Sequence, residues 1–299
     1  MTYSKKLIYT KSIEFCYLYY DKLEQVRYIE SRPDSFSLSN GKIVRLRLVN
    51  RKMFDTRFDF TTDSPGYWDG FWERKTGLGA GGSDPDIASP TLQRYHKELW
   101  SKPLPNGEVM DLRAGSGPYY LTWKDFRFGS DSITATFRYK KYKYMIDQVK
   151  EKVEDYKSYY EDLIRKFYTI GGMIFFPKHQ ASMNQNRGTN PYISDRWDLT
   201  LECIRRYYNG QTSPLYDTIK ADCKFYDLFV DFKGYVDFFF LQDAVADDYS
   251  KVIIWCGDGS FQESGLPKTI DEYFMFIEKE FDFLNKRNDR IKNYCDMNK

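Results

Sequence analysis

The sequence predicts an α+β protein, with antiparallel strands mainly in the N-terminal half and helices mainly in the C-terminal half. Period-two alternation of apolar and charged residues appears between residues 43 and 60, and strand-like runs return between 119 and 139. From residue 144 onward, apolar residues recur every three or four positions with lysines and glutamates between them. Strand patterns first and helical patterns afterwards are the mark of α+β architecture.

The elements follow in order. Residues 13–20, IEFCYLYY, fit a strand or a short helix equally. In 43–49, Val44, Leu46 and Leu48 alternate with Arg45 and Arg47; in 53–60, Phe54, Thr56, Phe58 and Phe60 alternate with Asp55, Arg57 and Asp59. Around Asn50-Arg51-Lys52 this predicts a hairpin with one wet face, its arginines and aspartates pairing across strands. Residues 61–91 predict a long loop. Its glycines at 77, 79, 81 and 82 lack the Gly-Lys-Ser/Thr ending of a phosphate loop. Tyr67, Trp68, Phe71 and Trp72 before them are read mainly as loop anchors, with stacking of a base or sugar as the second reading.

A short helix is expected over Leu92–Trp100, then two strands within 119–139 joined tightly near Gly129-Ser130-Asp131-Ser132. One long helix is expected from Tyr144 to Tyr168, burying Met145, Val149, Val153, Tyr156, Tyr160, Leu163 and Phe167. Met173–Phe176 predicts a buried strand, bounded by glycines and Pro177. A polar loop, Asn184-Gln185-Asn186-Arg187-Gly188, leads to an amphipathic helix that starts at Ser194 or Asp195 and stops at Asn209-Gly210. Further helices are expected from Ser213-Pro214 through Phe229 and over 235–245, a strand over 251–256, a turn at 257–259, and a last helix to about Arg287. That last helix is expected to bury Phe274, Ile277, Phe281 and Leu284. The whole is read as one compact domain over 1–299, with a sub-division near 140–145 between a strand-rich part (1–143) and a helix-rich part (144–299).

Twenty-six tyrosines, 23 phenylalanines and six tryptophans supply a large aromatic core and exclude disorder for the bulk of the chain. Forty-five Lys+Arg against 43 Asp+Glu give a net charge of +2, which argues against nucleic-acid binding. A basic stripe for nucleic acid would have to run through Arg45, Arg47, Lys140, Lys141 and Lys143. Five scattered cysteines without CxxC spacing argue against structural zinc and a disulfide framework. With no signal-peptide pattern and no apolar run near the ~20 residues that span a bilayer, a soluble cytoplasmic protein is expected, without a membrane.

Chemistry-bearing residues concentrate between 179 and 206. His179 is the better placed of only two histidines for a general base. Asn184, Gln185, Asn186, Arg187 and Arg196 gather at a helix start, where side-chain donors, open amides and the helix dipole suit a phosphate or carboxylate. Asp198 or Glu202 would orient the arginines or serve as a carboxylate base, while Glu202 and Arg206 also form a favourable i,i+4 pair. No metal site is expected: Asp243, Asp247, Asp248 and Asp258 match no metal spacing. No cofactor is indicated.

Asn184-Gln-Asn-Arg187-Gly188, then Ile193-Ser-Asp-Arg196-Trp-Asp198-Leu-Thr-Leu-Glu-Cys-Ile-Arg-Arg-Tyr-Tyr208, Gly210 and Ser213-Pro214-Leu215 together resemble the signature of an uncharacterised bacterial family of unknown function. That signature is close to "NQARG…IxDRFDLTLECIRRxYxG…SPL", with an aromatic "DFxGYVDFFLLQD" matched here by Asp231-Phe-Lys-Gly234-Tyr-Val-Asp-Phe-Phe-Phe-Leu-Gln-Asp243. The resemblance also takes in Gly117-Pro-Tyr-Tyr-Leu and Phe128-Gly-Ser-Asp-Ser-Ile133, and so covers most of 115–245. Trp197 stands where the family has Phe. The resemblance implies where a site lies and no activity. Two functions follow as expectations: a binder of, or enzyme on, a phosphorylated small molecule or nucleotide; or a non-enzymatic interaction protein of a phage-defence or toxin-type module, with the aromatic loop 67–72 as partner surface.

Overall fold

The computed structural model describes the strands within 6–45 and residues 54–69, 71–72, 84–116, 119–134, 143–179 and 182–297. Its contacts divide the chain into Met1–Met53 and Phe54–Lys299.

In the first unit, β1 (Lys6–Tyr9) pairs antiparallel with β2 (Phe15–Leu18), so the undecided aromatic run 13–20 contains a strand. A second antiparallel sheet has the order β3 (Val26–Arg27), β4 (Ser35–Leu38), β5 (Ile43–Arg45). The expected hairpin is therefore corrected. β5 pairs with β4, and 54–60 holds no strand; 46–53 lies outside the described residues. Local side-chain bonds outcompete the alternation there. Asp55 Oδ1 accepts from the Arg57 amide (3.0 Å), and Asp59 Oδ1 accepts from the Thr61 amide (2.9 Å). Arg57 pairs with Asp289 and Asp59 with Arg165, each on a helix of the second unit and not across a strand.

The second unit is built on one four-stranded antiparallel sheet, β6 (Arg113–Ser116), β7 (Tyr119–Trp123), β8 (Phe126–Ser132) and β9 (Met173–Pro177), in that spatial order. The tight connection falls at Lys124-Asp125. Gly129–Ser132, expected as a turn, is strand because β9 supplies partners for it: Ser130 faces Phe175 and Asp131 faces Ile174. Pairing across 40 residues overrides local turn chemistry. β9 lies at the end of the sheet yet is buried throughout. Its Phe175 meets Phe128, Phe225, Phe239, His96 and Trp100 edge-on, at centroid distances of 4.8–6.3 Å.

Helices cover this sheet. α1 (Pro85–Ala88) and α2 (Pro90–Trp100) are separated by Ser89, whose hydroxyl caps the Leu92 amide at 3.1 Å. The expected long helix 144–168 is two, α3 (Lys143–Lys152) and α4 (Tyr156–Phe167), because Asp155 caps a new start through the Ser158 amide (3.0 Å). The polar stretch 184–188, expected as loop, is helical: it forms α5 (Met183–Thr189). α6 is Trp197–Tyr208; Ser194 and Asp195 precede it with φ of 52° and 63°. α7 (Tyr216–Ala221), α8 (Cys223–Tyr226) and α9 (Phe232–Phe238) follow, broken by turns. The expected strand 251–256 is a single bridge, Val245 to Val252. α10 runs over Ile270–Met297, ten residues beyond the expected end; it buries Ile277 and Leu284 as expected, with Tyr273, Phe276 and Phe283 in place of the partly buried Phe274 and Phe281. The glycines at 77, 79, 81 and 82, Arg47, Lys140 and Lys141 lie outside the described residues, as do the side chains of Arg45 and Lys143.

α10 is fastened to the start of β9 by two buried polar side chains. Asn288 accepts from the Gly171 amide (2.7 Å) and donates to Thr169 Oγ1 (3.0 Å). Arg287 donates to the carbonyls of Gly171, Met173 and Phe239. A Cβ on Gly171 would lie 2.7 Å from Asn288 Oδ1 and from the Leu284 carbonyl, so only glycine admits this approach. Asn288→Ala, which orphans the Gly171 amide, is expected to lower unfolding stability by about 2–3 kcal/mol, and Gly171→Ala by more. Urea denaturation checks this: a loss of unfolding free energy below about 0.5 kcal/mol for either variant would show that the α10 contact is dispensable.

Candidate functional site

Strand β8 carries Ser130, Asp131 and Ser132 past the start of α5 and the Ser194–Asp195 corner. Those two corner residues have left-handed backbone, which turns the chain sharply enough to present Asp195 beside α5. Arg187 lies between them, fully buried. Its Nη1 donates to Asp131 Oδ2 (2.9 Å) and the Ser132 carbonyl (2.6 Å); its Nη2 donates to the Asp195 carbonyl (2.8 Å). Its Nε donates to Thr200 Oγ1 (3.4 Å) and lies 3.5 Å from Asp195 Oδ1. Thr200 Oγ1 in turn donates to the Arg196 carbonyl (2.7 Å). Asn184 donates to the Ser130 carbonyl (3.0 Å).

Carboxylates outnumber cations here. Asp86, on α1, holds its proton well above the usual carboxylate range because it is desolvated and faces Asp84 and Asp131. Desolvation also raises Asp131, against the opposing pull of Arg187. Asp195 is pushed up to about 7 by burial, and Arg187 offsets this only in part. Both carboxylates keep an opening to solvent, with side chains 19% and 23% exposed. Oδ1 of Asp86 and Oδ1 of Asn184 are enclosed without a hydrogen-bond partner. Lys178 is the other nearby cation.

A one-way hydrogen-bond chain ends on Asp86. Trp100 Nε1 is only a donor and gives its hydrogen to His96 Nδ1 (2.9 Å). The proton of neutral His96 therefore sits on Nε2, which donates to Ser130 Oγ (3.0 Å), and Ser130 is left to donate to Asp86. Burial, reinforced by Arg287, holds His96 down to about 3 and hence neutral. His96 thus cannot take the Ser130 proton, and the pair is not a nucleophile and its base.

The other residues singled out in the sequence take separate positions. Arg196 and Asp198 are brought together and buried: Nε donates to Asp198 Oδ1 (3.0 Å), and Nη2 pairs with Oδ2. Arg196 also donates to the carbonyls of Cys256 (2.8 Å) and Gly265 (2.9 Å), and Asp198 Oδ2 accepts from the Trp255 amide (2.7 Å). The acceptors of Arg187 lie on β8, the corner before α6 and Thr200, while those of Arg196 are Asp198 and the 256–265 segment. Glu202 accepts from Arg205 (2.8 and 2.9 Å) and Arg206 (2.8 Å), the expected i,i+4 pair with an i,i+3 pair added. Burial would raise Glu202, but the hydrogen bonds from Arg205 and Arg206 prevail and hold it below the usual range. His179 contacts Asp222 (3.0 Å) with 41% of its side chain exposed. Asn186 donates to Thr218 Oγ1 (2.7 Å), and Gln185 is exposed. Tyr67 and Phe71 are buried, Trp68 donates to Thr61 (3.1 Å) and Trp72 to Glu161 (2.8 Å), so the aromatic loop is anchored.

Asp86, Asp131 and Asp195 were not site candidates by sequence, although Asp131 and Asp195 lie within the segments that carry the family resemblance; Asp86 lies outside them. The nearest signal was Asp131 within Gly129-Ser-Asp-Ser132, which reads as a turn. Among the described residues no group of three or more His, Cys, Asp or Glu could hold a metal ion, Cys203, Cys223 and Cys256 form no disulfide, and no helix is long and apolar enough to cross a membrane.

Neutralising Asp195 isolates its linkage. Its folded value of about 7 lies above the unfolded carboxylate value near 3.8, so its contribution is fully present below about pH 4 and is lost as pH rises to about 7. Wild type is therefore expected to lose more melting temperature between pH 5 and pH 8 than Asp195→Asn. Parallel curves for the two proteins would mean that Asp195 titrates normally.

No curated protein and no solved structure matches the chain. Residues 54–291, which contain the whole of this site, match one family of unknown function, DUF6994, and the chain belongs to that family.

Proposed function

We propose that this protein binds, or acts on, a small polar molecule at the niche formed by Asp86, Asp131, Asn184, Arg187 and Asp195. The observation that carries this reading is that two carboxyl groups with raised proton affinity, Asp131 and Asp195, meet one buried guanidinium, Arg187, while a third, Asp86, faces Asp131. Such groups cost stability, and their clustering in one place is how sites that move protons are built. Asp195 is the group poised to exchange a proton near neutrality. Asn184 and Asp86 offer acceptors for a ligand N–H or O–H. A phosphorylated small molecule or nucleotide is the substrate class favoured by the sequence. It fits once the carboxyls are protonated, because they then donate hydrogen bonds and leave Arg187 and Lys178 as uncancelled positive charge.

A second reading is favoured by the fact that Nε, Nη1 and Nη2 of Arg187 each already have an acceptor inside the protein. Here the network is a brace, and the protein works through a surface, as an interaction protein.

A thermal-shift panel of nucleotides, sugar phosphates and short nucleic acids separates the two readings. It needs wild type, Asn184→Ala and Asp86→Asn, because Arg187→Ala alone strips a buried network and is expected to cost about 3–5 kcal/mol. Under the first reading a phosphorylated compound raises the wild-type melting temperature, more at pH 6 than at pH 8, and the effect disappears in Asn184→Ala. Asp86→Asn is then more stable than wild type, since it relieves carboxylate repulsion, but no longer responds. No shift with any compound, together with Asp86→Asn melting below wild type, would leave the brace.

A further inference from the structure

Away from that niche, Arg196 and Asp198 hold the 255–268 segment over the start of α6 and leave a cleft of about 250 Å³ beneath it. Its shape is set by backbone bonds. Arg196 grips the carbonyls of Cys256 and Gly265, Asp198 grips the Trp255 amide, and the Gly265 amide donates to the Pro191 carbonyl (3.1 Å). A Cβ on Gly265 would lie 2.8 Å from the Tyr192 carbonyl, so the segment can lie this close only as glycine. The guanidinium of Arg206 lies 4.7 Å from the centre of the Phe261 ring and steadies that wall. The cleft is therefore preformed, as small-molecule sites usually are.

The lining specifies the ligand. Tyr192, Leu199, Phe261 and Leu266 supply apolar surface. Both cations of the lining are already compensated: Arg196 by Asp198, and Lys268 by an ion pair with Glu263. Asp258 and Glu272, which also line the cleft, share the pull of that same lysine without an ion pair of their own among the described residues, so the carboxylates of the lining outnumber its cations. Asp258 accepts from the Ser260 amide (2.8 Å) and Glu272 from the Lys268 amide (2.6 Å), which fixes each carboxylate while leaving it acceptor capacity. Two positioned carboxylates in a lining where negative charge is in excess, beside aromatic and aliphatic walls, complement a cation with an apolar body.

We propose that this cleft binds a small organic cation, an amine or guanidino compound carrying an aliphatic or aromatic group. Asp258 and Glu272 meet its charge, and Phe261 and Tyr192 meet its body. The site is distinct from the niche around Arg187 and does not rest on the reading of it.

The test uses phenethylamine and agmatine as probes, with 3-phenylpropionate as the matched anion, measured by calorimetry and ligand-observed NMR. The proteins are wild type, the double variant Asp258→Asn/Glu272→Gln, Phe261→Ala and, as a control, Asp86→Asn. At least one amine is expected to bind wild type and Asp86→Asn equally, to bind the double variant about tenfold more weakly, and to weaken in Phe261→Ala; the anion is expected not to bind. Asp258 and Phe261 lie on the cleft surface, and Gln at 272 keeps an acceptor for the Lys268 amide, so melting temperatures near wild type certify the fold. Failure of both amines to bind wild type, binding unchanged in the double variant, or preference for the anion would each overturn the proposal. None of these outcomes bears on the phosphorylated-ligand panel.

Discussion

A guanidinium removed from water has to recover its hydrogen bonds inside the protein, and Arg187 recovers them from three places far apart in sequence. It takes Asp131 and the Ser132 carbonyl from β8, the Asp195 carbonyl from the corner before α6, and Thr200 from α6 itself. Each acceptor is useful only if the others are in register, so one side chain couples sheet, corner and helix. Arg196 repeats the device on 256–265, and Arg287 repeats it in part on β9 and the end of α9, with its Nη2 left without a partner. The aromatic core supplies most of the buried area, but aromatic packing tolerates small rotations. The arginines do not, and they give this aromatic interior a single arrangement.

The same constraint creates the chemistry. Arg187 meets Asp131 and Asp195, while Asp84 and Asp86 face Asp131 and Lys178 adds a second nearby positive charge. The surplus carboxylates cannot all stay ionised in a half-desolvated space, so protons are retained that water would remove. The chain from Trp100 through His96 to Ser130 directs its last hydrogen at Asp86, which tempers the repulsion without cancelling it. A brace alone would need no such surplus, and this asymmetry favours a site over a strut.

Much of the fold is legible in residues taken singly or in short windows. The strand at Met173–Phe176, most of the helix at 90–100 and the long C-terminal helix follow from apolar runs and helical spacing. The elements that escape do so for identifiable reasons. Asp55 and Asp59 capture nearby amides and dissolve an alternating pattern; Asp155 splits a continuous helical one. Gly129–Ser132 has turn composition and becomes strand only because β9 arrives beside it.

For the site the division is sharper. The sequence by itself determined that the segment 184–206 is the polar centre of the chain, because amides and arginines there adjoin an apolar strand and must find partners. Only the tertiary structure decided who those partners are. Asp86 and Asp131 come from distant elements, Asp195 enters through a left-handed corner, and Arg187 and Arg196 turn to opposite sides of the α6 start. Hydrogen-bond direction and desolvation depend on distances of a few ångströms between segments, and spacing along a chain carries no record of them.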